Sequence, residues 1–145
     1  MPESPAEFSL VIPTYNESGN LTELVSRIDR ALAGKNYEII FVDDDSPDGT
    51  TDQLQALARQ NTRIRSITRI GRRGLASACV EGILSSSAPY IAVMDADLQH
   101  DPTLLPQMWA TLQQEPVDLV IGSRYMEGGE IGAWDSRREI GRAHV

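Results

Sequence analysis

Asp95 and Asp97 stand one residue apart just after the apolar run Tyr90–Met94, and Gln99 comes two residues later. In extended chain alternate residues share a face, so Asp95, Asp97 and Gln99 are expected to point one way and Leu98 toward the core. Two carboxylates on one face attract a hard divalent cation. Mg2+ takes one or two protein carboxylates and fills its octahedron with water and phosphate oxygens. His100 reads as a loop histidine rather than a ligand, because such a cation prefers oxygen.

A second acidic group, Asp43-Asp44-Asp45, closes the run Tyr37–Val42. Adjacent carboxylates repel one another and are costly to bury without partners. The next residues, Ser46-Pro47-Asp48-Gly49, make a good turn, and Thr50 is placed to cap a helix, but neither explains the acids. A carboxylate accepting hydrogen bonds from a base or ribose does account for them. Pro13-Thr14-Tyr15-Asn16-Glu17 has two readings: a turn capped by Asn16 or Ser18, or a nucleotide shelf with the Tyr15 ring and the Glu17 carboxylate. Arg124, in Gly122-Ser123-Arg124-Tyr125, is either a surface ion-pair partner or a phosphate ligand. Gly71-Arg72-Arg73-Gly74 is a glycine-rich basic approach to a helix and suits an anion. Neither a P-loop pattern nor Gly-x-Gly-x-x-Gly is present, which weakens a nicotinamide reading.

These segments share a position: each comes directly after a short apolar run. Phe8–Ile12, Tyr37–Val42, Ile64–Thr68, Tyr90–Met94 and Val117–Ile121 are too short for helices and predict five strands. Between them, apolar residues fall at helical spacing: Leu21, Leu24, Val25, Ile28 and Leu32, stopped by Gly34; Leu54, Leu57 and Ala58; Leu75, Ala78, Cys79, Gly82 and Ile83. A fourth helix, with Leu104, Leu105, Met108, Trp109 and Leu112, is opened by Asp101-Pro102 as cap and first-turn proline. Strands alternating with helices predict an α/β fold, a mostly parallel Rossmann-like sheet with helices on both faces. Ligands of such sheets lie beyond the carboxyl ends of the strands. Cys79 and Trp109 read as core. Trp134, in a glycine-punctuated segment without clear period, does not fit that reading as easily.

The chain has 145 residues and net charge −8, with an isoelectric point near 4.7. That length is one domain, and that charge argues against a nucleic-acid partner. A single cysteine excludes an internal disulfide and a cysteine-rich zinc site. The N-terminus lacks a basic segment ahead of an apolar run, so no signal peptide is expected, and no apolar stretch is long enough to span a bilayer. A cytoplasmic protein is expected.

Taken in order, Pro13–Glu17, Val42–Thr50, Met94–His100 and Gly122–Tyr125 closely resemble the family 2 glycosyltransferases, and within them the dolichol- or polyprenol-phosphate mannosyltransferases. The likeness spans roughly residues 8 to 142. Gly128-Gly129 and Trp134 also fit that subgroup. The resemblance implies a GT-A fold and transfer of a sugar, mannose from GDP-mannose by the subgroup's habit, to a polyprenyl or dolichyl phosphate with inversion. By position, Pro13, Tyr15, Glu17, Val42 and Asp44 would hold the nucleoside. Asp95, Ala96, Asp97, Gln99 and Arg124 would lie along the diphosphate and metal, with Mg2+ or Mn2+ on Asp97 and Gln99 and with Asp95 nearer the ribose or in the metal's outer shell. Asp95, Asp97 and Arg124 would carry the chemistry.

Residues 1–7, with two Pro and two Glu, read as a loose tail; the resemblance implies a core over residues 8–125 and, over 126–145, the start of an acceptor-side segment that is cut short. A longer parent would sit on, or be anchored to, the cytoplasmic face of a membrane. Residues 140–145 read like a translated sequencing adapter, so Arg142 and His144 are given no role. The fragment is expected to have little transferase activity and an unpaired sheet edge. Asp45 stands where many relatives carry Gly or Asn. The alternatives are a UDP-sugar transferase, a nucleotidyltransferase and an inactive fragment. Homo-oligomerisation is left open.

Overall fold

The computed structural model describes residues 4–123. Four parallel strands form one sheet in the order β3-β2-β1-β4: β1 Phe8–Thr14, β2 Tyr37–Asp43, β3 Ile64–Thr68 and β4 Tyr90–Val93. The helices are α1 Leu21–Ala31, α2 Thr50–Gln60, α3 Leu75–Ser85 and α4 Leu105–Gln114, the last preceded by a 3-10 turn at Pro102–Leu104. The α/β expectation is met, with helices on both faces. The chain steps from β1 to β2 to β3 in one direction, then crosses back to β4. Right-handed connections therefore place α1 and α2 on one face and α3 on the other.

The two faces arise from strand periodicity. Phe8, Leu10 and Ile12 of β1, with Ile39 and Phe41 of β2, join α1, Leu54 of α2 and Trp109 of α4 in the larger core. The alternate residues Val11, Ile40 and Val42 meet Ala78 of α3. This second layer is thin because α3 approaches through small residues. A Cβ on Gly82 would lie 2.4 Å from a Val11 methyl and 3.0 Å from a Val42 methyl. At the amino ends of the strands Phe8 pairs in register with both Tyr37 and Tyr90. Trp109 stacks on Phe8 with ring centroids 4.8 Å apart.

Local signals set the element ends. Asp101 accepts the Thr103 N–H at 3.0 Å, as its cap position predicts. Gly34, at φ +76°, comes just after α1. Thr50 is not the cap of α2: Gly49, at φ +92°, takes that position, and Thr50 is the first helical residue. Ahead of β1, the Asn36 side chain donates to the Pro5 carbonyl at 2.9 Å.

Two expectations need correction. Val117–Ile121 is not a strand; it leaves α4 as irregular chain, with Leu119 73% and Ile121 72% exposed. An apolar run becomes a strand only when a sheet edge receives it, and among the described residues β4 pairs with β1 alone. The segment after β4 is not extended either. Leu98 has φ +62°, so the chain turns at that point and the alternation assumed for Asp95, Asp97 and Gln99 is broken.

Candidate active site

The strand order reverses between β1 and β4, and a parallel sheet opens a crevice where it does so. A cleft of about 230 Å3 lies there, at the carboxyl ends of the strands. Pro13, Tyr15 and Glu17 enter from the end of β1, Asp44 from β2, and Asp95, Ala96 and Asp97 from β4. Leu75 and Ala78 of α3 form an apolar wall. Seven of the residues named from the sequence are therefore brought together.

The β2 acids divide their work. The Asp43 carboxylate is fully buried and accepts from Thr14 Oγ1 (3.0 Å), Ser46 N (3.1 Å), Ser46 Oγ (2.6 Å) and Thr51 Oγ1 (2.6 Å). It ties β1, β2, the turn and α2 together. Asp44 faces the cleft and is held by Arg69, whose Nε and Nη2 reach Oδ1 and Oδ2 at 2.7 and 3.1 Å. The Gly74 N–H adds a third bond, to Oδ2, at 2.9 Å. Burial pushes the Asp44 carboxyl up, but the Arg69 fork, the Gly74 N–H and the charges of Arg69 and Arg73 outweigh it and hold it below the ordinary value. Asp45 adopts φ +54°, a conformation that Gly, Asn and Asp tolerate best. This is the physical reason an aspartate is tolerated at this position.

Tyr15 is 42% exposed at the cleft mouth, with the Arg73 guanidinium 4.8 Å from its ring centroid. Glu17 accepts from Asn20 Nδ2 at 2.7 Å, and its own N–H donates to Thr50 Oγ1 at 3.0 Å. Its carboxyl is raised above the usual value, first by burial, against the Asn20 bond, and then by the charges of Asp97, Asp48 and Asp95. Asp97 accepts the Gln99 N–H at 3.0 Å. Asp95 donates its N–H to His100 Nδ1 at 3.2 Å, and its Oδ2 lies 3.6 Å from His100 Nε2. His100 thus braces the turn after β4. The Cys79 thiol is pushed up by burial and by the Asp95 charge.

Two named residues fall elsewhere. The Val42 side chain is fully buried against α3 rather than lining the cleft. Gln99 lies past the Leu98 turn and lines a second depression of about 630 Å3, together with Arg27, Arg30, His100 and Asp101. Arg124, like Trp134, lies outside the described residues. The residue that sequence reasoning missed is Arg69, 2% exposed. Its signal was its position: it comes directly after β3, as the other site residues come directly after their strands.

Among the described residues no three His, Cys, Asp or Glu side chains form a ready-made metal cage. A divalent cation nevertheless suits this donor set. Asp95 and Asp97 supply hard oxygen, and their charges help raise the nearby Glu17 carboxyl.

Carboxylates and an aromatic ring gather at the switch point of a parallel α/β sheet, where such sheets hold their ligands. The family description "Glycosyl transferase family 2" matches residues 9–144, and the chain belongs to that family. It is 46% identical over 132 residues to the dolichol-phosphate mannosyltransferase of Pyrococcus furiosus, covering 91% of this chain and 37% of that protein. The Saccharomyces cerevisiae protein of the same name is 38% identical over 138 residues, covering 92% and 51%. The chain thus spans between about a third and a half of these curated relatives. Among solved structures, the mannosyltransferase PcManGT of Pyrobaculum calidifontis, in complex with GDP-Man and Mn2+, superposes with a TM-score of 0.57 at 24% identity, over 66% of this chain and 29% of that one. Staphylococcus aureus TarS 1-349 with UDP gives 0.63 at 18% identity, over 83% and 40%. These two likenesses establish the GT-A fold. Family membership sets the nucleotidyltransferase alternative aside. Among the described residues no helix is long and apolar enough to cross a membrane.

Proposed function

We propose that this chain supplies the donor-binding part of an inverting transferase that moves mannose from GDP-mannose to a polyprenyl or dolichyl phosphate at the cytoplasmic face of a membrane. The observation that carries the reading is the single cleft joining Tyr15 and Glu17, Asp44, and Asp95 to Asp97. The P. furiosus and yeast mannosyltransferases support the sugar and the acceptor.

In this reading the Tyr15 ring offers a face to the base and Asp44 accepts a base N–H. Glu17 takes a ribose hydroxyl. Asp97 would hold Mg2+ or Mn2+, with Gln99 as second ligand and Asp95 toward the ribose; Arg124 would meet the diphosphate. A bound divalent cation supplies charge neutralisation to the departing nucleoside diphosphate. The acceptor phosphate, with a second pKa of about 6, is already anionic at neutral pH. Its oxygen attacks the anomeric carbon opposite the diphosphate, the carbon–oxygen bond to the diphosphate breaks, and configuration inverts. No general base is needed, so the chain's residues act by positioning the donor and excluding water. Calorimetric titration of the chain with GDP-mannose and UDP-sugars, with and without Mn2+, tests this. Metal-dependent binding that prefers GDP-mannose is expected; preference for UDP-sugars would replace the donor, and absence of binding would overturn the reading.

A further inference from the structure

Arg69 is buried at the end of β3 and has no assigned part in the site. Its guanidinium is held from four places. Nε and Nη2 fork onto Asp44, Nη2 also donates to the Gly74 carbonyl at 3.1 Å, and Nη1 donates to Ser77 Oγ at 2.9 Å. Glu81 of α3 faces Nη1 at 3.6 Å. The Arg69 N–H donates to the Asp43 carbonyl at 2.8 Å, which fixes the backbone as well. The side chain therefore cannot swing away from Asp44 without breaking the junction of β2, β3 and α3.

The acceptor capacity of Asp44 can be traced atom by atom. A carboxylate oxygen accepts two hydrogen bonds. Oδ2 already has two, from Arg69 Nη2 and the Gly74 N–H. Oδ1 has one, from Arg69 Nε. Among the described residues one acceptor position is left, on Oδ1 of a group that lines the cleft. We propose that Arg69 is a positioning residue that sets base selectivity, by keeping Asp44 an obligate acceptor with one open position for a ring N–H of the nucleobase. The inference rests on the reading of the cleft as a nucleotide site.

The chemistry separates two classes of base. Guanine and uracil carry a proton on the ring nitrogen of their pairing edge and can donate it to Oδ1. Adenine and cytosine carry a lone pair there, which an ionised carboxylate repels. A protonated carboxyl or a carboxamide donates as well as accepts and would serve either class. Arg69 thus disfavours adenine and cytosine nucleotides, whose pairing edge offers Oδ1 only an exocyclic amino group beside a repelled lone pair, by denying Asp44 a proton and a rotation, without touching the ligand.

The test is calorimetry of the 145-residue chain with GDP, UDP, ADP and CDP at fixed Mn2+, for the parent and for Asp44→Asn, Arg69→Lys and Arg69→Met, with circular dichroism as the check of folding. The parent is expected to prefer GDP or UDP over ADP and CDP by roughly tenfold to a hundredfold, the range of a hydrogen bond to a charged group. Arg69→Met should shrink that ratio about tenfold or more, with ADP and CDP binding as well as before or better. Arg69→Lys keeps the charge but not the fork and should fall between; it carries the test if the Met variant does not fold. An equal loss for all four nucleotides, or an unchanged ratio in both Arg69 variants, overturns the proposal. Failure of the parent to bind any nucleotide, or an Asp44→Asn variant with the parent's ratio, overturns the cleft reading itself and the proposal with it.

Discussion

Asp43 and Asp44 are neighbours at the end of β2, yet their carboxylates leave the sheet on opposite sides, one toward Thr51 of α2 and the other toward Arg69 and Gly74 beside α3. The first is structural and the second faces the cleft, and substitution separates them. Asp43→Ala strands two threonine hydroxyls and both polar groups of Ser46 in a buried junction. It should cost about 3 kcal/mol or more in urea unfolding. Asp44→Asn removes the charge paired with buried Arg69 and should also lower the urea midpoint, but, unlike Asp43→Ala, it should weaken nucleotide binding by the folded protein, read by calorimetry.

Opposite pH slopes are expected from the acids. Asp44 is held below its unfolded value of 3.8, and Asp48 is held down to about 2 by bonds from Thr50 and Ser18. Each contributes stability that is fully present above 3.8 and lost as pH falls through its folded value. Glu17 has the reverse sign: its folded value lies above 4.5, so its charged form costs stability at neutral pH and costs nothing below 4.5. Glu17→Gln should raise the thermal midpoint at about pH 7, and the gain should vanish in acid. A gain that persists below 4.5 would contradict the assignment.

Removing the carboxylate of Asp97 should abolish the metal dependence of nucleotide binding. In calorimetry with and without Mn2+, Asp97→Ala should give the same weak affinity in both. Gln99→Ala should keep part of the metal effect, because Gln99 lies past the Leu98 turn and borders the neighbouring depression. A metal effect undiminished in Asp97→Ala would remove this residue from the ligand set.

Gly82→Ala sets two magnitudes against each other. Alanine gains about 1 kcal/mol of helix propensity over glycine. Its Cβ, however, would press to 2.4 Å from a methyl of fully buried Val11, and such overpacking costs roughly 1 to 3 kcal/mol. A net loss of stability in urea unfolding is expected, with α3 displaced from β1 and β2.

Four strands and four helices were legible because their apolar residues repeat at periods of about two and 3.6, and because Asp101-Pro102 and Gly34 mark helix ends chemically. Val117–Ile121 reads as a strand for the same reason, but pairing depends on an edge, which composition does not specify. The Asp43-Asp44-Asp45 run was visible as an anomaly, whereas its division into a buried hub and a cleft acid depends on the alternation of β2. Arg69 escaped notice because its main partner, Asp44, is 25 residues away at the end of β2, while Gly74 and Glu81 come from α3 and its cap. That Gln99 borders the neighbouring depression while Asp97 lines the cleft turns on one backbone angle, at Leu98, that no residue type announces.

The aromatic row Tyr37–Phe8–Tyr90, with Trp109 stacked on it, occupies the end of the sheet opposite the cleft. Along the seven residues of β1 that is a separation of about 20 Å. Indole emission from position 109, recorded with Trp134→Phe in place, therefore works as an optical gauge of folding that nucleotide occupancy leaves unperturbed. Ligand titrations and melting curves can be recorded on one sample without either signal contaminating the other.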